Sequence, residues 1–285
     1  MSIYELFVTL LFGFVEGVTE WLPISSTGHM ILLEKFINFK QSAGIPDVSK
    51  FMEMFRVVIQ LGAIMAVVVL FWSKIWPFQK KKSNKEIKSS IINWDIMKLW
   101  FHILVASVPA AIIGLFLDDW MDAHFYRFEV VAITLIIYGV LFIIIEERNK
   151  KRRPKITSLQ DITYSTAALI GVFQILALIP GTSRSGATIV GALLIGVSRT
   201  VAAEFTFFLA IPIMFGASFL KLVKFGLNFT GTEFLILVVA MITAFLVSVG
   251  VIKFLMGYIK KHDFKVFGYY RIALGIIAIV FAIIY

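Results

Sequence analysis

Apolar residues run through this chain in stretches of about twenty, a pattern that leaves few folds open. A helix rises about 1.5 Å per residue, so roughly 20 apolar residues cross the ~30 Å hydrocarbon core of a bilayer. Six stretches meet that length: Phe51–Trp72, Ile96–Leu117, Phe128–Ile145, Ala202–Val223, Phe234–Leu255 and Val266–Tyr285. Two more are apolar but interrupted. Ile3–Leu33 is broken at Pro23-Ile-Ser-Ser-Thr-Gly28, and Ile162–Ile195 at Pro180-Gly-Thr-Ser-Arg-Ser-Gly186. Each is too long for one crossing, yet each half is short for its own. Helix, non-helical tip, helix is the pattern of a re-entrant hairpin, whose irregular backbone survives at membrane depth only inside protein or beside water. Two complete helices with polar kinks are the other reading. The expected fold is an all-α polytopic membrane protein with six transmembrane helices and two re-entrant helical hairpins, as a single integral membrane domain over residues 1–285.

Composition agrees. Hydrophobic residues make up 59% and charged residues 16% of the chain, against about 45–50% and about 25% in soluble domains. A net charge of +9 would raise nucleic acid as a partner in a soluble chain. Here the positives gather in short loops between apolar runs, and nucleic acid is not expected. The absence of cysteine excludes disulfides, thiolate nucleophiles and cysteine metal ligands. The opening MSIYELFVTLLFGF lacks a basic leader and is not read as a cleaved signal.

Charge sets the expected orientation. Basic clusters fall at Lys74–Lys88 (Lys74, Lys80, Lys81, Lys82, Lys85, Lys88), Arg148–Lys155 and Lys253–Lys265, whereas the loop Asp118–Glu129 carries Asp118, Asp119, Asp122 and Glu129 against Arg127. The positive-inside rule puts the basic segments in the cytoplasm and the acidic loop outside. The two breaks also resemble each other, and an interrupted stretch followed by three spans occurs twice, over approximately residues 3–146 and 160–285. Glu53 opens the first span of one half and Glu204 that of the other. Three crossings separate equivalent points, so the halves are expected to be inverted relative to each other. Inverted repeats with broken helices place their site near the midplane, where the breaks face each other.

The chemistry-bearing residues sit at those breaks. Glu16 and Glu20 are four apart and share a helix face, where two carboxylates can hold a divalent cation or divide acid and base roles. They can equally bond backbone donors of the opposing break. Ser25, Ser26, Thr27 and His29 add hydroxyls, free N–H groups and an imidazole, and a hydroxyl beside a base is the minimum for an activated nucleophile. Single serines at helix starts often only cap. The second break offers Gly181, Thr182, Ser183, Arg184 and Ser185 ahead of a helix N-terminus, which suits an anion. The Arg184 guanidinium matches phosphate oxygens, or else neutralises Glu16 or Glu20. His102, His124 and His262 are read as structural or interfacial.

The segments EGVTEWLPISSTGH (Glu16 to His29) and PGTSRSG (Pro180 to Gly186) resemble the two signature motifs of bacterial undecaprenyl-diphosphate phosphatases of the bacitracin-resistance type. FRVVIQLGAI (Phe55 to Ile64) and SRTVAAEFTFFLAIP (Ser198 to Pro212) resemble further family segments, so the likeness covers essentially the whole chain. The resemblance implies hydrolysis of undecaprenyl diphosphate to undecaprenyl phosphate, which recycles the lipid carrier of cell-wall synthesis. It implies a divalent cation, Mg2+ or Ca2+, and catalysis on the external side of the bacterial cytoplasmic membrane. The phosphatidic-acid type of lipid phosphatase is set aside, because no histidine follows Ser183-Arg184 until His262.

On these residues Arg184 and the second break hold the diphosphate, with Ser183, Thr182, Ser185, Gly181, Ser25 and Thr27 around it and the cation on Glu16 and Glu20. The attacker is either Ser26 assisted by His29, or a water activated by Glu20 or His29. The expected partners are the polyprenyl diphosphate lipid, membrane lipids and a second copy in a homodimer. A transporter or flippase of a polyprenyl phosphate is the rival, since inverted repeats with facing breaks are also transporter architecture.

Overall fold

The computed structural model describes residues 1–42, 44–78, 91–125, 127–226 and 228–284. Lys80, Lys81, Lys82, Lys85 and Lys88 of the first basic segment lie outside the described residues, as do Tyr285 and the side chains of Asp118, Asp119 and Asp122. The described elements are helical. They are α1 (Ile3–Thr19), α2 (Ser26–Phe36), α3 (Val48–Val58), α4 (Gln60–Leu70), α5 (Trp72–Ile75), α6 (Trp94–Phe125) and α7 (Phe128–Asn149), then α8 (Tyr164–Ile175), α9 (Arg184–Leu194), α10 (Arg199–Phe225), α11 (Gly231–Tyr258) and α12 (Lys265–Ile284).

Six segments are long and apolar enough to cross a membrane: Val48–Leu70, Trp94–Leu117, Phe128–Asn149, Arg199–Phe225, Gly231–Tyr258 and Lys265–Ile284. They match the six expected stretches to within a few residues at each end, and each begins at or before the expected start. Polar residues make those extra turns, because a helix needs its end groups capped wherever hydrophobicity stops. Thr230 and Glu233 form a capping box that starts α11, and Asp47 caps α3. Phe116, Phe219 and Ile283 stand outward with most of their surface exposed, as lipid-facing side chains do.

The interrupted stretches fold as two short helix pairs, α1–α2 and α8–α9. α2 and α9 have 11 residues each, roughly 17 Å, well short of a bilayer core. The Tyr4 hydroxyl donates to the Asn38 carbonyl at 2.9 Å, so the free ends of α1 and α2 lie together. Phe281 packs on both Phe36 and Phe128, which puts them beside the start of α7. At the other end of α7, Asn149 donates to the Leu193 carbonyl at 3.1 Å and fixes the end of α9.

Close backbone approach decides the packing partners. A Cβ on Gly13 of α1 would lie 2.7 Å from the Ala240 carbonyl oxygen of α11, and one on Gly171 of α8 would overlap the Ala106 carbonyl of α6. Gly139 of α7 and Gly268 of α12 meet reciprocally, each leaving room for the other's carbonyl. Small residues are what let helix backbones touch where apolar burial supplies no drive. Ion pairs tie the helices together, among them Glu53 of α3 to Lys221 of α10 and Glu204 of α10 to Lys74 of α5, each at 2.8 Å.

Candidate active site

Both breaks end on a serine in a conformation that serine rarely adopts. Ser25 has φ 76° and Ser183 has φ 71°, the two positive-φ non-glycine residues among those described. Each is the N-cap of the next helix, and its Oγ accepts from the N–H three residues on, of Gly28 and of Gly186, both at 3.2 Å. That capping offsets part of the roughly 1–2 kcal/mol such a backbone costs. The first helical residues after these caps are Ser26 and Arg184. The twin strained caps therefore deliver Ser26 and Arg184 from two separate helix N-termini.

Those side chains converge on one carboxylate. Ser26 Oγ donates to Glu20 Oε2 at 2.6 Å, and Arg184 Nη2 donates to Glu20 Oε1 at 3.0 Å. Ser185 Oγ donates to the Glu20 carbonyl at 3.4 Å. Arg184 is steadied by a second bond, from Nη1 to the Thr206 carbonyl at 2.9 Å on α10. Glu20 is 5% exposed and its partners are nearly as deep. Buried charges need such pairing, since breaking a buried pair typically costs about 3–5 kcal/mol. Glu16, one turn earlier, is 1% exposed and both of its carboxylate oxygens lack a hydrogen-bond partner.

The other expected residues have different roles. His29 does not bond Ser26. Its Nδ1 lies 2.7 Å from the Ser25 carbonyl and its Nε2 lies 2.7 Å from the Tyr270 hydroxyl. Ser25 and Ser183 act as caps, and Ser183 Oγ also lies 3.0 Å from Ser185 Oγ. Gly181 has φ 86°, and a Cβ there would lie 2.7 Å from the Val131 carbonyl oxygen, so only glycine fits. Thr182 is buried, and Thr27 opens α2 beside Ser26.

The sequence model of the family described as "Bacitracin resistance protein BacA" matches residues 9–277. The chain belongs to the BacA family. Its relatives include a protein of Enterococcus faecalis named undecaprenyl-diphosphatase, 60% identical over 279 residues and covering 98% of both chains. One of that name from Desulfitobacterium hafniense is 58% identical, covering 99% of this chain and 97% of its own. Undecaprenyl-diphosphatase 1 of Clostridium acetobutylicum is 54% identical over the full length of both.

One residue central to this BacA family member escaped the sequence reading. Arg271 of α12 is fully buried. Its Nη1 donates to the Pro23 carbonyl at 3.1 Å, and its Nη2 donates to the Gly181 and Thr182 carbonyls at 2.7 and 2.8 Å. The guanidinium also stacks 5.4 Å from the Tyr138 ring centre. Arg271 thus clamps both breaks together. The signal was present: an arginine inside the apolar stretch Val266–Tyr285 is costly enough to point to a role.

Proposed function

We propose that the chain is an undecaprenyl-diphosphate phosphatase, which hydrolyses undecaprenyl diphosphate to undecaprenyl phosphate and inorganic phosphate. The reaction recycles the lipid carrier of cell-wall synthesis and accounts for the bacitracin resistance in the family's description. The observation that carries the reading is Glu20 held between Ser26 and Arg184, a nucleophile, its base and a phosphate-binding group joined at one carboxylate.

The terminal phosphate lies between the N-termini of α2 and α9, whose first N–H groups and helix dipoles favour an anion. Arg184 Nε, buried and without a partner, is the donor left for a phosphate oxygen. Ser26 Oγ attacks the terminal phosphorus, and its proton passes to Glu20 Oε2. The bridging phosphoanhydride bond breaks and undecaprenyl phosphate leaves. Water then cleaves the phosphoserine to release inorganic phosphate and restore the serine. Catalysis of this kind rests on positioning and on stabilising charge. Glu20 takes over the base role expected of His29, because it is the group within reach of the hydroxyl.

Glu16 with Glu20 would hold the divalent cation, Mg2+ or Ca2+, which when bound offsets the charge of the diphosphate. The two orphaned oxygens of Glu16 support that assignment, because a buried bare carboxylate is costly without a counter-charge. Among the described residues there is no cluster of three or more metal-ligating side chains. A hard cation there would take its remaining oxygens from phosphate and water, as Mg2+ commonly does.

The short pairs α1–α2 and α8–α9 are read as re-entrant hairpins, open to opposite faces of the membrane. Their free ends at opposite ends of α7 support this, as does their length. The single domain is read as an inverted repeat. α1 packs on α11 through Gly13 as α8 packs on α6 through Gly171, and the Glu53–Lys221 and Glu204–Lys74 pairs are reciprocal. A carrier needs the groups that hold an anion but not a serine bonded to a carboxylate. Release of inorganic phosphate from undecaprenyl diphosphate by purified protein in detergent tests the proposal. Substrate binding or movement without phosphate release would overturn it.

A further inference from the structure

For a neutral ring, the hydrogen bonds of His29 leave one arrangement of its proton. The Ser25 carbonyl can only accept, so Nδ1 carries the hydrogen in the 2.7 Å contact. Nε2 of the neutral ring then has a lone pair, and the Tyr270 hydroxyl 2.7 Å away donates to it. The two rings lie 5.7 Å apart and within 5° of parallel. The Tyr270 hydroxyl therefore favours the tautomer that the Ser25 carbonyl requires, and its ring lies parallel to that of His29.

His29 in turn holds the turn that presents the nucleophile. The Ser25 carbonyl receives two donors from this one residue, its backbone N–H at 3.1 Å and Nδ1–H at 2.7 Å. Ser25 stands at φ 76°, a conformation that persists only where the surroundings over-determine it. The peptide fixed in this way joins Ser25 to Ser26, whose Oγ meets Glu20 at 2.6 Å. Loss of the tyrosine hydroxyl frees Nε2 to take the ring proton. In that tautomer Nδ1 is an acceptor facing the carbonyl oxygen, and the turn loses a restraint.

We propose that Tyr270 is a positioning residue, acting through His29 on the Ser25–Ser26 turn and so on the aim of the Ser26 hydroxyl. This rests on the phosphatase reading given above. α12 then serves both breaks with adjacent residues, Tyr270 through His29 and Arg271 through the carbonyls it grips.

Tyr270→Phe keeps the ring and removes only the hydroxyl. In the full-length protein it is expected to lower kcat about tenfold at unchanged KM, the effect of one lost hydrogen bond on positioning. In a His29→Gln background the same substitution is expected to change kcat by less than about twofold, since its route of action is gone. Solid-state NMR on the protein with 15N-labelled histidine reads the pairing directly. The chain has only four histidines, and His29→Gln assigns the signal. In Tyr270→Phe the His29 Nε2 resonance should move from the value of an unprotonated ring nitrogen towards that of a protonated one. Wild-type kcat in Tyr270→Phe, an equal loss in both backgrounds, or an unmoved resonance would overturn the proposal. If His29→Gln has no measurable turnover, the resonance decides. If the wild-type protein releases no phosphate, the phosphatase reading falls, and the resonance alone decides whether Tyr270 sets the state of His29.

Discussion

In the proposed mechanism Glu20 is the residue on which the chemistry turns, because its two oxygens face different partners, Ser26 and Arg184. Substitution at Arg184 therefore has two consequences. Arg184→Ala removes a phosphate-binding charge and leaves Glu20 unpaired in a buried site, so phosphate release should fall by at least about 100-fold. The melting temperature should fall with it, since one partner of a buried pair is lost. Arg184→Lys restores charge without the planar fork that bonds Glu20 and Thr206 together, so it should recover little. Steady-state kinetics beside thermal unfolding separates the two effects. Ser26→Ala should lower kcat by about 1,000-fold or more and abolish any trapped phosphoserine detectable by mass spectrometry. Appreciable turnover in that variant would move the attack from the serine to water. Glu16→Gln keeps size but removes the charge a cation needs, so the metal concentration for half-maximal activity should rise well above wild type.

At the scale of elements, the breaks are built by local rules that a serine alone does not satisfy. Each cap bonds the N–H three residues on and stands at positive φ. At the first break His29, held by Tyr270 of α12, donates to the Ser25 carbonyl; at the second, the Val131 backbone of α7 leaves Gly181 no room for a Cβ. Gly181→Ala should therefore cost stability as well as activity, through both the clash and the left-handed backbone. Helix pairs obey the same logic. Gly139→Val on α7 would drive a side chain into the Gly268 carbonyl of α12, 2.7 Å from where its Cβ must sit. A loss of roughly 1–3 kcal/mol, read as a lower unfolding midpoint in detergent, is expected. An unchanged midpoint would mean that the α7–α12 crossing is looser than its backbone contact implies.

For the whole molecule, the inverted-repeat reading makes a sidedness prediction. The chain contains no cysteine, so single cysteines report position cleanly. Glu129→Cys, at the exposed start of α7 beside the free end of α2, should react in intact cells with a membrane-impermeant thiol reagent. Lys151→Cys, just past the exposed far end of α7, should react only after the cells are opened. The opposite pattern would put the α1–α2 hairpin on the cytoplasmic side. The spans also satisfy backbone groups of the breaks: Thr134 of α7 donates to the Pro180 carbonyl, and Arg271 of α12 donates to carbonyls of both breaks.

Sequence alone determined the class of fold and which polar residues stand out from the apolar runs. Apolar length reports crossings directly, because bilayer thickness is fixed, and all six spans fell where the hydrophobic runs place them. Polar residues inside apolar runs report function for a similar reason: their cost demands one. Glu16, Glu20, Ser26, His29 and Arg184 were legible on that basis. Their pairing was not. Ser26 and His29 are neighbours in sequence, yet a left-handed serine turns the hydroxyl to Glu20 and the imidazole to Tyr270 on α12. Arg184 carried two readings, anion clamp or ion-pair partner, and the fold gives it to Glu20 while leaving its Nε unpartnered. Tyr270 and Arg271 came into view only in three dimensions. Hydrogen bonds are short and directional, so which groups meet depends on how helices distant in sequence cross, and no local pattern encodes that crossing.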